Sequence, residues 1–387
     1  MSQYGYKFFP ETVVWEVTFA CNMRCLHCGT AAGKQRSDEL STDEALNLID
    51  ELTGLGCKSV TISGGEPLLR KDWQQLAARL KENGVTSYLI TNGYAMTEAI
   101  ADDILRLEIK RVGVSVDGME EIHNHIRQRP DSFRRCLNAI DIMREKDVEF
   151  CVVSQVSNMN LGELDNMHKL LVDHGCKGWR IQMCTTTGRM MEHANLVLSL
   201  DNYERLIDTL LAMKAAGDIF IDVGENIGYY GCKGSQLLDG NPYLGCYAGT
   251  RVAGITSNGS VRGCLSMAEE FNEGNIREKS FTEIWNNPDG FVYNRKFTKD
   301  TATGACHDCR YLPLCRGGCA TTSVSQTGRR ADNPYCMYQI ELQQGIAPND
   351  SEDTIALLRR FNPGALEEIS AAGAASGRSG DSVKASE

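Results

Sequence analysis

No stretch of this chain approaches the ~18 uncharged apolar residues that a membrane span requires. An excess of basic charge is missing too. Lysine and arginine number 40 against 51 aspartates and glutamates, a net charge of −11 over 387 residues. That balance argues against a broad grip on phosphate backbones, and so against nucleic acid as a partner. Residues 1–10 lack a basic region followed by an apolar run, so no secretory signal is visible and a cytoplasmic location is expected. Thiols stay reduced in that compartment. What the chain holds in quantity is cysteine, 16 in all. Clustered cysteines in a reducing compartment read as metal ligands rather than disulfides.

A hydrophobic fraction of 42% and a charged fraction of 24% fit a globular protein with one large core and a smaller appended module. Short β-branched runs at 12–19, 59–63, 86–91, 111–116, 149–156 and 178–183 read as strands. Amphipathic stretches at 42–55, 73–82, 97–107, 132–146 and 162–174 lie between them. Ser41 with Glu44 reads as a capping box, and Asn83-Gly84 and His174-Gly175 as helix stops. Strand–helix repeats at this spacing predict an α/β fold with a parallel sheet and right-handed crossovers, either an open doubly wound sheet or a partial barrel. Ligands of both bind at the carboxyl ends of the strands. After Gly217 the pattern changes. Residues 224–249 are rich in Gly and Tyr, 251–257 and 261–265 flank an Asn258-Gly259 turn as a hairpin, and 281–285 form a short helix. The cysteine-dense stretch from Cys306 to Cys336 has little apolar periodicity and is expected to need metal to fold. Beyond Gly373 only Ala, Gly, Ser, Val and charged residues remain, a composition expected to stay disordered.

Cys21, Cys25 and Cys28 follow the first strand as Cys-x3-Cys-x2-Cys. Three thiolates on one short loop can hold three irons of a 4Fe–4S cube and leave the fourth iron open. Structural zinc would want a fourth ligand, and only His27 inside the same loop offers one. The loop from Cys21 to Cys28 resembles the signature of radical S-adenosylmethionine (SAM) enzymes. In that family the open iron chelates SAM, and reductive cleavage yields a 5′-deoxyadenosyl radical that abstracts a substrate hydrogen. Further strand-end elements carry the resemblance. Gly64-Gly65-Glu66-Pro67 follows the second strand and is similar to the family's GGEP element, whose backbone and Glu66 would receive the SAM ammonium. Asn92 closes the third strand, and Ser115 with Asp117-Gly118 closes the fourth, near where the resemblance puts the ribose and carboxylate. Arg127 is a candidate partner for the SAM carboxylate, since arginine grips carboxylates bidentately, or else a solvated helix residue. Ser154 and Gln182 are expected to line the same mouth. His123 and His125 read as surface polar residues rather than metal ligands, and Cys184 as facing the mouth. Cys57, Cys136, Cys151 and Cys176 behave as small hydrophobes.

Seven more cysteines follow as Cys246-x12-Gly259-x4-Cys264, then Cys306-x2-Cys309-x5-Cys315-x3-Cys319, then Cys336. This resembles the SPASM extension of radical SAM enzymes, which carries two auxiliary 4Fe–4S clusters. The resemblance implies that Cys306, Cys309, Cys315 and Cys336 hold one cluster and Cys246, Cys264 and Cys319 the other, three clusters in all. Cys232 is the candidate fourth ligand of the second set; the alternative is an open iron. A zinc ribbon of Cys306, Cys309, Cys315 and Cys319 would leave Cys246, Cys264 and Cys336 unexplained. The implied fold is a partial (β/α)6 barrel over 1–217, a connector at 218–245, the SPASM domain at 246–345 and a tail at 346–387.

SPASM enzymes mostly modify peptides. The leading expectation is therefore an oxidoreductase that forms an oxidative crosslink, thioether or carbon–carbon, in a ribosomally made peptide, its auxiliary clusters accepting the substrate's electron. Alternatives are a sulfatase-type protein maturase, a peptide epimerase and an enzyme of a haem precursor or other small molecule. Sulfatase-maturating relatives have an acidic residue after the cysteine that closes Gly-x4-Cys; here Leu265 follows Cys264. A non-catalytic iron–sulfur or zinc protein would have no need of the strand-end SAM elements. Because the first strand begins near Thr12, no fused leader-binding domain is expected, and a separate leader-binding protein is a candidate partner. The reductant is expected to be of flavodoxin or ferredoxin type.

Overall fold

The computed structural model describes residues 7–362. Among these residues, ten strands form one sheet in the order β10-β9-β8-β1-β2-β3-β4-β5-β6-β7. Strands β1 (Thr12–Glu16), β2 (Ser59–Ser63), β3 (Thr86–Thr91), β4 (Arg111–Ser115), β5 (Phe150–Val156), β6 (Gly178–Met183) and β7 (Phe220–Val223) run parallel, each beside its predecessor. The helices α1 (Thr42–Gly54), α2 (Trp73–Glu82), α3 (Glu98–Arg106), α4 (Glu120–Arg127), α5 (Ser132–Glu145), α6 (Leu164–Asp173) and α7 (Leu200–Ala216) fill the crossovers. The sheet does not close. It is the open-barrel alternative of the two that the strand–helix pattern allowed.

Period-two alternation decides what faces where. Val13, Trp15, Val60, Ile62, Leu89, Val112, Val114, Val152, Trp179 and Ile181 are fully buried on the convex face, against the helices. Their neighbours point into the concave interior: a side chain at Gly113 would meet Ile90 and Val153 there. Helix α1 begins at the expected capping box, Ser41 accepting from the Glu44 N–H while Glu44 accepts from the Ser41 N–H. It buries Leu48, Ile49 and Leu52.

The sequence reading ends its strands at β6. Strand β7 is only four residues long, shows no clean alternation and exposes Phe220, so nothing in its pattern announces it. The hairpin is where expected, β8 (Val252–Ile255) antiparallel to β9 (Ser260–Arg262), with β10 (Gly274–Asn275) beyond. It is not a separate layer: β8 pairs parallel with β1, Val14 opposite Gly254. The cysteine-rich region is built differently. Phe281, Ile284, Trp285, Phe291, Tyr335 and Met337 join the barrel's core, and its other apolar contacts fall into small clusters around Tyr229, Tyr230, Tyr311 and Tyr338, around Ala248 and Met267, and around Ala302, Leu312 and Ala331, each with cysteines packed against it. Part of the expected tail is helical, Glu352–Phe361, with Leu358 fully buried. The stretch after Gly373 lies outside the described residues.

Candidate functional site

The chain leaves β1 into the three-cysteine loop, pinned by the Cys21 N–H to the Gly33 carbonyl (2.8 Å) and the Leu26 N–H to the Ile126 carbonyl (2.9 Å). Cys25 is buried, while Cys21 and Cys28 are partly open. Burial pushes the Cys21 thiol up to about 11, and the neighbouring Cys25 and Cys28 add to the shift. Thiols crowded in this way favour a soft cation that displaces their protons, so the donor set fits an iron–sulfur cluster.

Gly64 and Gly65 cross directly over the exit of β1. A Cβ at Gly64 would stand 2.6 Å from the Thr18 carbonyl oxygen, and one at Gly65 would stand 2.4 Å from that of Ala20. Only glycine fits at both. Glu66 is completely buried, and its carboxylate is spent inside the protein: it accepts from Thr91 Oγ1 (2.8 Å), the Asn92 N–H (2.8 Å) and the Leu68 N–H (3.2 Å). Burial raises its pKa to about 7 against those donors. Glu66 therefore ties the glycine pair to the end of β3, which leaves backbone groups facing the mouth. Pro67 opens the short 3-10 turn Pro67–Leu69 beyond it. Asn92 donates through Nδ2 to Asn22 Oδ1 at 2.8 Å, joining β3 to the cysteine loop.

At the end of β4, Ser115 is half-buried at the concave face and Asp117 is completely buried. The Asp117 carboxylate receives Arg127 Nη2 at 2.5 Å and Nε at 2.7 Å, His27 Nε2 at 3.0 Å and the Gln155 N–H at 2.9 Å. Burial works against its charge, but Arg127 and His27 hold it well below the usual carboxylate range. Arg127 Nη1 also lies 3.9 Å from Cys25 Sγ. Arg127 is thus no solvated helix residue. It carries a buried charge between Asp117 and the cysteine loop, so a SAM carboxylate would share it with Asp117.

Other expectations change. His123 is completely buried rather than a surface residue: its Nδ1 accepts from the Asp117 N–H (3.1 Å) and its Nε2 pairs with Ser132 Oγ (2.9 Å). Burial drives its pKa down to about 3, with Arg127 adding to the effect, so it is neutral. Ser154 does not line the mouth. It sits on the convex face of β5 opposite Ile181, donates to the Val116 carbonyl and accepts the Trp179 indole N–H at 2.8 Å. Reading Ser154 into the mouth misses the pleat: Gln155 is its concave neighbour, and Gln155 Nε2 donates to Gln182 Oε1 at 2.7 Å. Gln182 keeps its place there. Cys184 is buried in the apolar core and does not open on the mouth. Asn160, overlooked in the sequence, holds this corner together by donating to the Asp117 carbonyl at 2.9 Å and accepting from the Ser157 N–H at 2.8 Å.

The seven C-terminal cysteines form two neighbourhoods. Burial raises the thiols of Cys315 and Cys336, and each feels Cys306 and Cys309. Burial pushes Cys264 up to about 12, with Cys246 and Cys319 as its thiol neighbours. Cys232 stands in another setting. Its Sγ donates to the Ala347 carbonyl at 3.1 Å and its N–H to Glu341 at 2.6 Å, so its thiol is turned to the C-terminal segment rather than to a fourth corner of the Cys246, Cys264 and Cys319 set. Among the described residues, no three His, Cys, Asp or Glu side chains converge on a single-ion site, the arrangement that zinc with four close ligands demands.

An unclosed parallel barrel with three thiols on its first loop and two more thiol sets in the region that follows its last strand is the architecture of an iron–sulfur enzyme that uses SAM. The chain belongs to the radical SAM superfamily, whose family model matches residues 15–174, and the iron–sulfur cluster-binding SPASM domain matches residues 246–310. It is 30% identical over 345 residues to an AdoMet-dependent heme synthase of Methanosarcina barkeri, covering 85% of this chain and 97% of that one. It is 29% identical over 335 residues to the mycofactocin maturase MftC of Mycolicibacterium smegmatis, covering 84% of this chain and 81% of that one. In fold it matches Streptococcus suis SuiB bound to its precursor peptide SuiA, with a TM-score of 0.68 at 15% identity over 85% of this chain and 76% of that chain. No helix among the described residues is long and apolar enough to cross a membrane.

Proposed function

We propose that this enzyme abstracts a hydrogen from a ribosomally made peptide and completes a net oxidation that leaves a crosslink in the product. The observation that carries this reading is the division of the C-terminal thiols into two sets, in addition to the three-cysteine loop that follows β1. Three 4Fe–4S clusters are the corresponding complement: one on Cys21, Cys25 and Cys28, one on Cys306, Cys309, Cys315 and Cys336, and one on Cys246, Cys264 and Cys319 with a corner left open. When bound, these groups and SAM supply a 5′-deoxyadenosyl radical at the mouth and an acceptor for the substrate's second electron beyond it. The chain's own residues do the placing. The backbone at Gly64, Gly65 and Glu66 offers acceptors to the SAM ammonium, Arg127 a charge to its carboxylate, and Asn92, Ser115 and Gln182 polar edges to its ribose and adenine. A separate leader-binding protein would deliver the peptide, and a flavodoxin or ferredoxin the first electron.

The relationship to MftC and the fold shared with SuiB support a peptide. A second reading, oxidation of a haem-precursor tetrapyrrole, rests on the heme synthase relative, nearly all of whose length aligns. The deciding experiment supplies the anaerobic, iron-loaded enzyme with SAM, a reductant and either a short peptide encoded beside its gene or an iron coproporphyrin. Loss of two hydrogens' mass from the peptide supports the crosslink. An unchanged mass that gains one deuterium from heavy water would make the enzyme an epimerase. Turnover of the porphyrin alone would establish the second reading.

A further inference from the structure

The loop that follows β6 does something that neither the family match nor the SAM elements account for. Arg189 spreads its guanidinium over the three-cysteine loop and donates to three backbone carbonyls, Cys25 through Nε (2.9 Å), Ala31 through Nη1 (3.2 Å) and Ala32 through Nη2 (3.1 Å). Its own N–H donates to the Cys28 carbonyl at 2.9 Å. One residue therefore grips the loop before, at and after its last cysteine. The approach is so close that the preceding position must be glycine. Gly188 has φ +55, and a Cβ there would stand 2.4 Å from the Cys28 oxygen and 2.5 Å from the Gly29 carbonyl carbon. No carboxylate lies within ion-pair distance of Arg189 among the described residues. Its charge is answered by carbonyl dipoles alone, so its hydrogen bonds are of the stronger, charge-assisted kind.

The other end of the same segment is held from the cysteine-rich region. Gln326 Nε2 donates to Thr186 Oγ1 at 3.0 Å. Gln326 lies on the helix Ala320–Thr327, and the residue that caps this helix is Cys319, a member of the second thiol set. A continuous path thus runs from Cys319 along one helix, across one hydrogen bond, through residues 186–189 and onto the carbonyls between Cys25 and Ala32.

We infer that residues 185–190 are a strap through which the seating of the auxiliary domain sets the geometry of the SAM-cluster loop, with Arg189 as its positioning residue. A rigid helix bonded to a short segment in backbone contact with the loop leaves the loop little freedom to move independently. The expected consequence is that a poorly assembled auxiliary domain loosens the site where the radical is made, which would keep an incompletely loaded enzyme from cleaving SAM.

The inference rests on the reading that Cys21, Cys25 and Cys28 hold the SAM cluster, and its test reads that cluster apart from turnover. In full-length, reconstituted, reduced protein, the readouts are the SAM-induced change in the cluster's electron paramagnetic resonance signal and the rate of iron loss to a chelator. Arg189→Ala is expected to speed iron loss from this cluster about tenfold, the scale seen when partners that orient metal ligands are removed. It should also blunt the SAM response while signals indifferent to SAM persist. Arg189→Lys, whose single ammonium cannot span three carbonyls, should recover little. Gln326→Ala and Thr186→Val, which leave the loop's own contacts intact and decide the matter should Arg189→Ala fail to fold, are expected to move both readouts in the same direction by a smaller amount. Thr186→Ser, keeping the hydroxyl, should match wild type. If Gln326→Ala and Thr186→Val leave the SAM response and iron loss at wild-type values, the strap is overturned. A wild-type chain with no SAM-responsive signal would overturn the cluster reading along with it.

Discussion

Different interactions hold the barrel and the cysteine-rich region together. One continuous apolar core starts at Val13, runs through every strand–helix unit of the barrel and continues into the hairpin, so each unit buries its neighbours' side chains as well as its own. That core also takes in Phe281, Ile284, Trp285, Phe291, Tyr335 and Met337 from beyond β9, whereas the rest of the cysteine-rich region packs into three clusters of three to seven buried residues, and cysteines make up much of what packs against them. The first region can pay the conformational entropy of folding with apolar surface; the cysteine-bearing loops of the second have too little of it. Metal–thiolate bonds are the remaining source of stability, and structural zinc–thiolate sites set the scale at roughly 10 kcal/mol or more.

The largest expected effect follows from that contrast. Stripping iron anaerobically should open the cysteine-bearing stretch from about Phe297 to Asn333 to protease while the barrel resists, with the cuts mapped by mass spectrometry. The seam is the strand pair β1–β8 and a buried cluster in which Arg36 and the Ser257 N–H and hydroxyl converge on Glu16. Uniform digestion of both regions on iron removal would show that the seam, rather than the core, governs the barrel's stability.

Conversely, the barrel should answer to packing. Ile49 is completely buried on α1, and Ile49→Ala is expected to cost about 3 kcal/mol in chemical denaturation, because the rigid surroundings leave most of the cavity unfilled. The same truncation at exposed Val292, in the cysteine-rich region, should cost little. Ser154 sharpens the point further. Ser154→Ala leaves the buried Trp179 N–H without an acceptor, a loss of about 1–3 kcal/mol. Its SAM binding, followed by calorimetry, should match wild type, because the hydroxyl lies on the face away from the mouth.

The two regions were also unequally legible in sequence. Strand positions in the barrel follow from alternation, and β2, β3 and β6 fall on the expected residues because burial on one face imposes period two. The same rule, applied one residue further, would have placed Gln155 and not Ser154 at the mouth. Strand β7 was invisible because four residues at a sheet edge carry almost no periodic signal. Cysteine spacing located the second region, but spacing cannot say which way a side chain turns, and so the contact of the Cys232 thiol with the Ala347 carbonyl was not foreseen. Glu66 and Asp117 were legible as site residues, but their work was not. A carboxylate that binds a ligand and one that ties two strand ends together look alike in a sequence, and only the donors around them tell the two apart. Arg189 left the faintest trace, a glycine–arginine pair after a strand end, since its partners are carbonyls, which every residue has.

The smallest expected effect lies on the surface of the seam itself. Arg277, just past β10, donates to both oxygens of Glu44 on α1 (2.6 and 2.9 Å) and to the carbonyls of Asp38 and Glu39 (2.8 and 3.2 Å). Its hydrogen bonds, with those from Ser41, lower the Glu44 pKa to about 2. A carboxylate whose pKa falls on folding contributes stability that is complete above its unfolded value and fades as pH drops toward the folded one. The bridge therefore stabilises the seam at neutral pH and is lost between about pH 4.5 and pH 2. Water screens the pair, so Arg277→Ala should cost less than about 1 kcal/mol at pH 7. Its deficit relative to wild type should shrink as the pH of the denaturation experiment is lowered through that window. A deficit independent of pH would mean that the two carbonyl contacts, rather than the carboxylate, hold the cysteine-rich region to α1.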